Sequence, residues 1–353
     1  MPAKYLTLAA QLKRMCTRLR RQGKAKLPGE TELAERYGCS RQTVRHALSV
    51  LEEEGLIRRR HGSGTYLSGG VNSGSRIAVI VENTEEYLYP KLIRDIEAVC
   101  GPEGYTAEAF STGNQVMAER EILSSLLRNP PAGIVMETAK SALPNPNWDL
   151  LSAAVQQEIP LVLLNAPVSL PISAVTVRED SEGGAILLVR YLIGKGRGRI
   201  GGIFRSDDLR GQERYYGYIS ELIKNGCPVD EGAVVWYDTG ARRELLAGSD
   251  SWLEKYVETH LSGLDAVLCH NDEIAFPLIR ILLKSGLRVP EDIAVVSFDN
   301  SYYCPLGSVP ITSLAQERYQ TGTAAARALL EIINGKNARS LSLRWALRKR
   351  ASG

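Results

Sequence analysis

Residues 39–66 read "CSRQTVRHALSVLEEEGLIRRRHGSGTY". The stretch opens as a helix and closes on three arginines, a histidine and a Gly-Ser-Gly turn. Ser40 is a strong N-cap, because its hydroxyl can accept a backbone N–H that the first helical turn leaves unpaired. Beyond it Val44, Ala47, Leu48 and Leu51 recur at i, i+3, i+4 and i+7, the spacing of one buried helical face. Arg41, Gln42 and Arg45 fall outside that face, in the first turns. Gly55 ends the helix, and "LIRRR" and "TYL" predict two short strands around the turn "HGSG".

Upstream, Leu8, Leu12, Met15 and Leu19, with Ala9 and Cys16 beside them, predict a first helix over 5–22. A second, over 31–37, is stopped by Gly38 in the C′ position. Three helices and a basic hairpin describe a winged helix-turn-helix. Arg41 and Arg45 sit one turn apart, so both reach a major groove, where arginine bonds guanine O6/N7 or phosphate with two hydrogen bonds. The helix start adds backbone N–H groups for a phosphate. Gly62 and Gly64 let the wing turn tightly beside a minor groove, with His61 at its tip. A solvated helix face accounts for any one of these arginines. The cap, the spacing and the wing together point to DNA.

Charge supports this. The 353-residue chain has a formal net charge of +3, unevenly spread. Residues 1–70 hold 14 Lys/Arg against 6 Asp/Glu, and the remainder 29 against 34. A basic module on a mildly acidic body suits a polyanion-binding head with a second task behind it. The Gly/Ser-rich run "SGGVNSGS" at 68–75 cannot build a core. The expected division is a head over 1–68, a linker over 69–75 and a body over 76–353. No apolar run approaches the ~20 residues of a membrane helix. The start is basic and amphipathic, unlike a signal peptide. The six cysteines are scattered without a CxxC. These features predict a cytoplasmic protein with free thiols.

"LPGETELAERYGCSRQTVRHALSVLEEEGLIRRRHGSGTYL" resembles the GntR-type winged-helix DNA-binding domain, whose signature is LPSE-x-x-LA, SRxTVRxAL, LxxxGLI and GxGTxV. The resemblance implies operator contacts from Glu30, Arg41, Gln42, Thr43, Arg45, His61 and Gly62, with the capping Ser40 beside them. Thr31 stands where that family often has arginine, which removes one phosphate contact.

From Arg76 onward short apolar runs alternate with amphipathic stretches. "RIAVIVEN", "AGIVMET", "IPLVLLNA", "AVTV", "RIGGIFRSDD", "AVVWYD", "DAVLCHND" and "IAVVSFDN" read as buried strands. Helices are predicted over 90–100, 117–127, 183–193, 212–224, 251–260, 273–284 and 318–333. This alternation implies an α/β body of doubly wound parallel sheets, in two lobes. The runs close on polar residues: Asn83, Glu137, Asn165, Arg205, Asp238, Asn271 with Asp272, and Asp299. One polar strand end is ordinary loop solvation. Most strands ending so, at the carboxyl ends where open α/β sheets bind ligands, suit a hydroxyl-rich ligand such as a sugar. Tyr87, Tyr89, Tyr302 and Tyr303 offer flat surfaces against sugar C–H faces.

"GIFRSDDLRGQERYYGYISELIKNG", "AVLCHNDEIAFPLIRILLKSGLRVPEDIAVVSFDN" and "PITSLAQERYQTGTAAARALL" resemble the LacI/GalR-type effector domain. That resemblance implies a type I periplasmic-binding-protein-like body, a homodimer, and chain crossings between the lobes near 177 and 316. It also implies effector contacts at Asn165, Arg214, Asn271, Asp299 and Gln316, although Asn165 replaces an acid often found there. A GntR-type head on such a body occurs in the arabinose-repressor family of Gram-positive bacteria. "ETAKSAL" and "CHNDEIA" are similar to that family. The similarity implies L-arabinose or a related pentose as effector, and adds Glu137, Lys140 and the nearby Tyr89.

The expectation is a repressor whose operator affinity a small sugar controls, without cofactor. An enzyme or a sugar-binding protein on the same body stays open. Against an enzyme, "GKGRGRIGG" (194–202) precedes a strand, so it lacks the strand-then-helix context of a nucleotide site. The four histidines show no metal or triad spacing. A secreted sugar-binding protein would leave the basic head without a purpose.

Overall fold

The structure is a computed structural model that describes residues 4–21, 26–53, 56–60, 64–67, 75–167, 172–316 and 320–353. The head contains α1 (Lys4–Arg21), α2 (Glu30–Tyr37) and α3 (Arg41–Glu53), then the antiparallel strands β1 (Ile57–Arg60) and β2 (Gly64–Leu67). The apolar stripes read from the sequence form its core, where Leu8, Leu12, Met15, Leu33, Val44, Leu48 and Leu51 meet Ile57. Gly38 closes α2 in the left-handed region at φ 60°. Ser40 Oγ accepts the Thr43 N–H at 3.1 Å, the expected cap. Leu27 donates its N–H to Thr65 O at 2.9 Å, so the strap before α2 joins the wing. Gly55, His61, Gly62 and most of the expected linker lie outside the described residues.

The first lobe follows: β3 (Arg76–Val81), α4 (Tyr89–Cys100), β4 (Thr106–Ser111), α5 (Val116–Arg128), β5 (Gly133–Glu137), α6 (Trp148–Gln156), β6 (Leu161–Leu164) and β7 (Val175–Glu179). The second lobe holds α7 (Ser181–Gly194), β8 (Ile200–Arg205), α8 (Leu209–Lys224), β9 (Val234–Tyr237), α9 (Thr239–Leu246), α10 (Ser251–His260), β10 (Ala266–Cys269), α11 (Asp272–Lys284), β11 (Ala294–Phe298) and β12 (Thr312–Gln316). The chain then returns as α12 (Thr321–Ile333) and closes with β13 (Leu341–Leu343) and β14 (Trp345–Arg348).

Two six-stranded sheets result, ordered β4-β3-β5-β6-β7-β13 and β9-β8-β10-β11-β12-β14. All their neighbours are parallel except β14, which runs antiparallel to β12. The chain passes between lobes after β7, between β12 and α12, and again between β13 and β14. The third passage was not read from the sequence. Helix α12 begins at Thr321, later than the expected 318, and residues 317–319 lie outside the described set.

Strands β4, β12, β13 and β14 also escaped the sequence reading. Strand β4 is a half-exposed edge. In β12, Thr312 and Ser313 are buried but polar: the Thr312 N–H donates to Ser352 Oγ at 2.8 Å, and Ser313 Oγ accepts from Asn300 N–H at 3.0 Å. Strands β13 and β14 are too short for a pattern.

Helices α7 and α8 pack through Gly217, where an added Cβ would lie 2.3 Å from Glu182 O and 3.1 Å from Ala185 Cβ. Backbone on one side cannot yield as a flexible side chain would. Gly217→Ala is expected to cost about 1–3 kcal/mol, read as a lower urea midpoint at unchanged slope.

Candidate DNA-reading face and interlobe cleft

On α3, Arg41, Gln42 and Arg45 are exposed and Thr43 is half-buried. The Arg45 Nε donates to Glu30 Oε2 at 2.7 Å, so α2 and α3 present both residues together. Arg45 is 61% exposed, and an ion pair so wet contributes about 0–1 kcal/mol. Exchanging Glu30 for a phosphate or a base edge therefore costs little. The sequence reading missed Arg59. Its Nη2 donates to Arg45 O at 2.9 Å and to Ser49 Oγ at 3.1 Å, and its N–H donates to Glu52 Oε1 at 3.0 Å. It ties the wing to the middle of α3. Within "RRR" nothing in the sequence singles out the residue that turns inward.

The body's two sheets aim their carboxyl ends at one another across a cavity of about 430 Å³. Its lining includes Glu82, Tyr89, Glu137, Asn165, Glu179, Arg205, Asp208, Arg210, Arg214, Arg242, His270, Asn271, Asp299, Gln316 and Trp345. Tyr89, Glu137, Asn165, Arg214, Asn271, Asp299 and Gln316 are thus brought together. Lys140 is not. It is exposed at φ 49°, its N–H donates to Asn114 Oδ1 at 2.5 Å, and it does not line the cavity.

Asn83 and Asp238 also serve elsewhere. Asn83 Oδ1 accepts the Glu85 N–H at 2.9 Å, and Asp238 Oδ1 caps α9 through the Ala241 N–H at 2.9 Å. Asp272 is buried against Ser297, Ser301 and Cys304, and supports the turn after β11.

Arg214 is almost sealed from water. It donates to His270 O, lies 3.4 Å from Asp299 Oδ1 and 3.5 Å from Glu179 Oε2, and stacks 4.0 Å from the Phe298 ring centroid. Arg210 Nη2 reaches Glu137 Oε1 at 3.0 Å and Asp208 Oδ2 at 2.8 Å. Tyr89 OH donates to Glu137 Oε2 at 2.8 Å, and Tyr87 OH donates to Asp299 Oδ2 at 2.7 Å. Arg205 closes the far end, donating to both Glu82 oxygens at 2.8 and 2.9 Å. The sequence reading places none of Arg210, Glu179 and His270 among the ligand contacts, and takes Arg205 only as a strand end.

Burial would raise Asp208, but the guanidinium groups of Arg210 and Arg205 hold it below the usual carboxylate range. Burial raises Glu137 against the pull of Arg210. Burial and the neighbouring Arg214 hold His270 well below its ordinary value, so it is neutral. The lining carries six acidic and six basic side chains, so their formal charges balance. Even so, Glu179 Oε2, Arg214 Nε, His270 Nδ1, Gln316 Oε1 and Trp345 Nε1 have no hydrogen bond among the described residues. Buried polar atoms are normally paired, so water or a polar ligand beside this wall is expected to supply the missing partners. Tyr87, Asn165 and Asp299 have left-handed backbones at φ 54°, 45° and 96°, conformations that cost about 1–3 kcal/mol outside glycine and gather at ligand sites.

A helical DNA-reading head on a two-lobed ligand-cleft body defines a regulator of transcription. Residues 4–67 match the family of bacterial regulatory proteins of the gntR type, and residues 189–352 match a periplasmic binding protein-like domain. The chain is 31% identical over 339 residues to the arabinose metabolism transcriptional repressor of Geobacillus stearothermophilus, covering 95% of this chain and 92% of that protein. It is 28% identical over 316 residues to the repressor of the same name from Halalkalibacterium halodurans, covering 87% and 83%. The fold matches a periplasmic binding protein/LacI transcriptional regulator from Alkaliphilus metalliredigens, solved with D-xylulofuranose, at TM-score 0.67 and 20% identity, over 79% of this chain and 99% of that one. The chain belongs to the family of transcriptional repressors that join a GntR-type head to a periplasmic-binding-protein-like body.

If the exposed start of α3 reads bases, Arg41→Ala should cost about 1–3 kcal/mol of specific operator affinity. A phosphate contact would instead weaken all sequences alike. Gel shifts in which Arg41→Ala and Arg45→Ala both match wild type would contradict this reading of α3.

Proposed function

We propose that the chain is a cytoplasmic, sugar-responsive repressor. Its head over 1–68 holds operator DNA through Glu30, Ser40, Arg41, Gln42, Thr43, Arg45, His61 and Gly62, and its body over 76–353 takes a small neutral polyol in the interlobe cleft. The carrying observation is that lining: charges balanced among themselves, with unpaired donors and acceptors left over. An anionic ligand would meet a carboxylate for every formal positive charge there. A polyol supplies both donors and acceptors, and hydrogen bonds to charged groups are the stronger ones.

The effector contacts are Tyr89, Glu137, Asn165, Arg214, Asn271, Asp299 and Gln316. L-arabinose or a related pentose is the proposed ligand, supported by the named function of the two arabinose relatives. The cleft performs no chemical step in this reading. His270 is neutral and buried.

Closing on sugar shifts DNA affinity only by the difference in sugar affinity between the two states, typically about 1–3 kcal/mol. Calorimetry with L-arabinose, with and without operator, should give unequal affinities. Equal values would exclude allosteric control, and no heat with any pentose would exclude the ligand. Arg214→Lys keeps the charge facing Glu179 and Asp299 but loses the planar fork. It should weaken sugar binding at least about tenfold and leave operator binding intact.

Two heads on a near-palindromic operator require a dimer, because two-fold protein symmetry is mirrored in half-sites. Light scattering of the 76–353 fragment should report that dimer. A strict monomer, at concentrations where the intact chain binds operator, would contradict it.

A further inference from the structure

Two of the three crossings between the lobes meet at one carboxylate. Glu179 ends β7, where the chain first leaves the first lobe. Its Oε1 accepts from Gln316 Nε2 at 3.0 Å and from Thr321 Oγ1 at 3.3 Å, and these residues flank the returning passage. Its own N–H donates to Asn165 Oδ1 at 3.0 Å. The second oxygen, Oε2, differs. The side chain is 7% exposed and lines the cleft, yet Oε2 has no hydrogen bond among the described residues, and Arg214 Nη2 stands off at 3.5 Å. A buried carboxylate oxygen in this position is an open acceptor. One carboxylate therefore clasps the hinge with one oxygen and keeps the other, buried beside the cleft, without a hydrogen bond among the described residues.

We propose that Glu179 is the positioning residue through which the hinge senses the ligand: a ligand hydroxyl donates to Oε2 while Oε1 keeps the first two crossings together. The proposal rests on the sugar-effector reading of the cleft. Occupying Oε2 makes the carboxylate a bridge from ligand to both passages. It restrains the hinge in a way that contacts made to a single lobe do not.

The surroundings make this contact sensitive to pH. Burial pushes the Glu179 carboxyl up to about 7, opposed by Arg210 and Arg214 on α8 and assisted by Asp299 and Glu137. Gln316, Thr321 and Asn165 face it without charge. His270 is already neutral, whereas Glu137 is itself raised, so a variant must assign the effect. A hydroxyl donating to Oε2 prefers the ionised carboxylate. Binding near pH 7 then releases a proton, and affinity falls as pH drops through 7.

The test is calorimetry of the full chain with L-arabinose and a panel of pentoses and hexoses at pH 6, 7 and 8, in two buffers of different ionisation heat. Expected are about tenfold weaker binding at pH 6 than at pH 8, and proton release near pH 7. Glu179→Gln should still bind operator, flatten the pH profile, and shrink the sugar's effect on operator affinity even at saturating sugar. If that variant does not fold, Glu179→Asp, which withdraws the oxygen from the cleft, should weaken sugar binding at pH 8 at least tenfold. A pH-independent affinity, an unchanged profile in Glu179→Gln, or undiminished coupling at saturation would overturn the role of Glu179 and leave the sugar reading standing. Absence of heat with every sugar at every pH would overturn both.

Discussion

Glu82 and Arg205 meet across the two lobes through paired hydrogen bonds of 2.8 and 2.9 Å, and both side chains are about nine-tenths buried. Removing a charge from water costs several kcal/mol, and only well-placed partners offset it. The body ends many of its strands on charged or amide side chains and then turns those ends toward each other. Several of their partners therefore come from the opposite lobe. Arg210 with Glu137, Tyr87 with Asp299, and Asn114 with both Asp207 and Thr239 obey the same requirement. The closed arrangement of the lobes follows from where the sequence puts its polar strand ends.

That requirement also shapes what the cleft can hold. Asp208 stays ionised because Arg210 and Arg205 lie beside it, and Arg242 is committed to Glu273 at 2.6 and 2.9 Å. With charges so committed, selectivity falls to the unpaired atoms along the Glu179, Gln316 and Trp345 wall. These comprise both donors and acceptors. A ligand that matches them must carry both kinds of group in a compact frame, and an aliphatic ligand of the same volume would leave them unsatisfied.

Much of this was legible in the sequence where one residue type has one physical use. The stripes of α1 and α3, the Ser40 cap and the Gly38 stop came through because periodicity and capping are local. The rule that strands end on polar residues picked out Glu137, Asn165, Asn271 and Asp299, which line the cleft. It failed for Asn83, Asp238 and Asp272, which close local turns or brace a loop, because composition does not distinguish a ligand contact from an Asx turn. Lys140 was carried by resemblance alone, and its left-handed backbone sits outside the cavity. Glu179 and Arg210 were hidden for another reason. Their roles depend on partners remote in sequence, such as Gln316 to Glu179, and a single chain of letters does not reveal that pairing.

The same geometry separates affinity from control. A ligand shifts a two-state protein only by binding one state better than the other. Asn271 belongs to one lobe, where its side chain also caps α11 through the Ile274 N–H at 3.2 Å, so a contact there is retained whether the lobes open or close. Such a contact adds affinity to both states and drives nothing. Contacts at groups already shared between lobes behave differently. A hydroxyl that donates to Asp299 competes with or joins the bond from Tyr87, and one that reaches Glu137 enters the bond from Arg210. Opening the lobes breaks the Tyr87–Asp299 and Arg210–Glu137 bonds themselves, so whatever such a hydroxyl does to their strength counts as coupling. The charged residues that join the lobes are thus the same ones through which the proposed neutral ligand would act on closure.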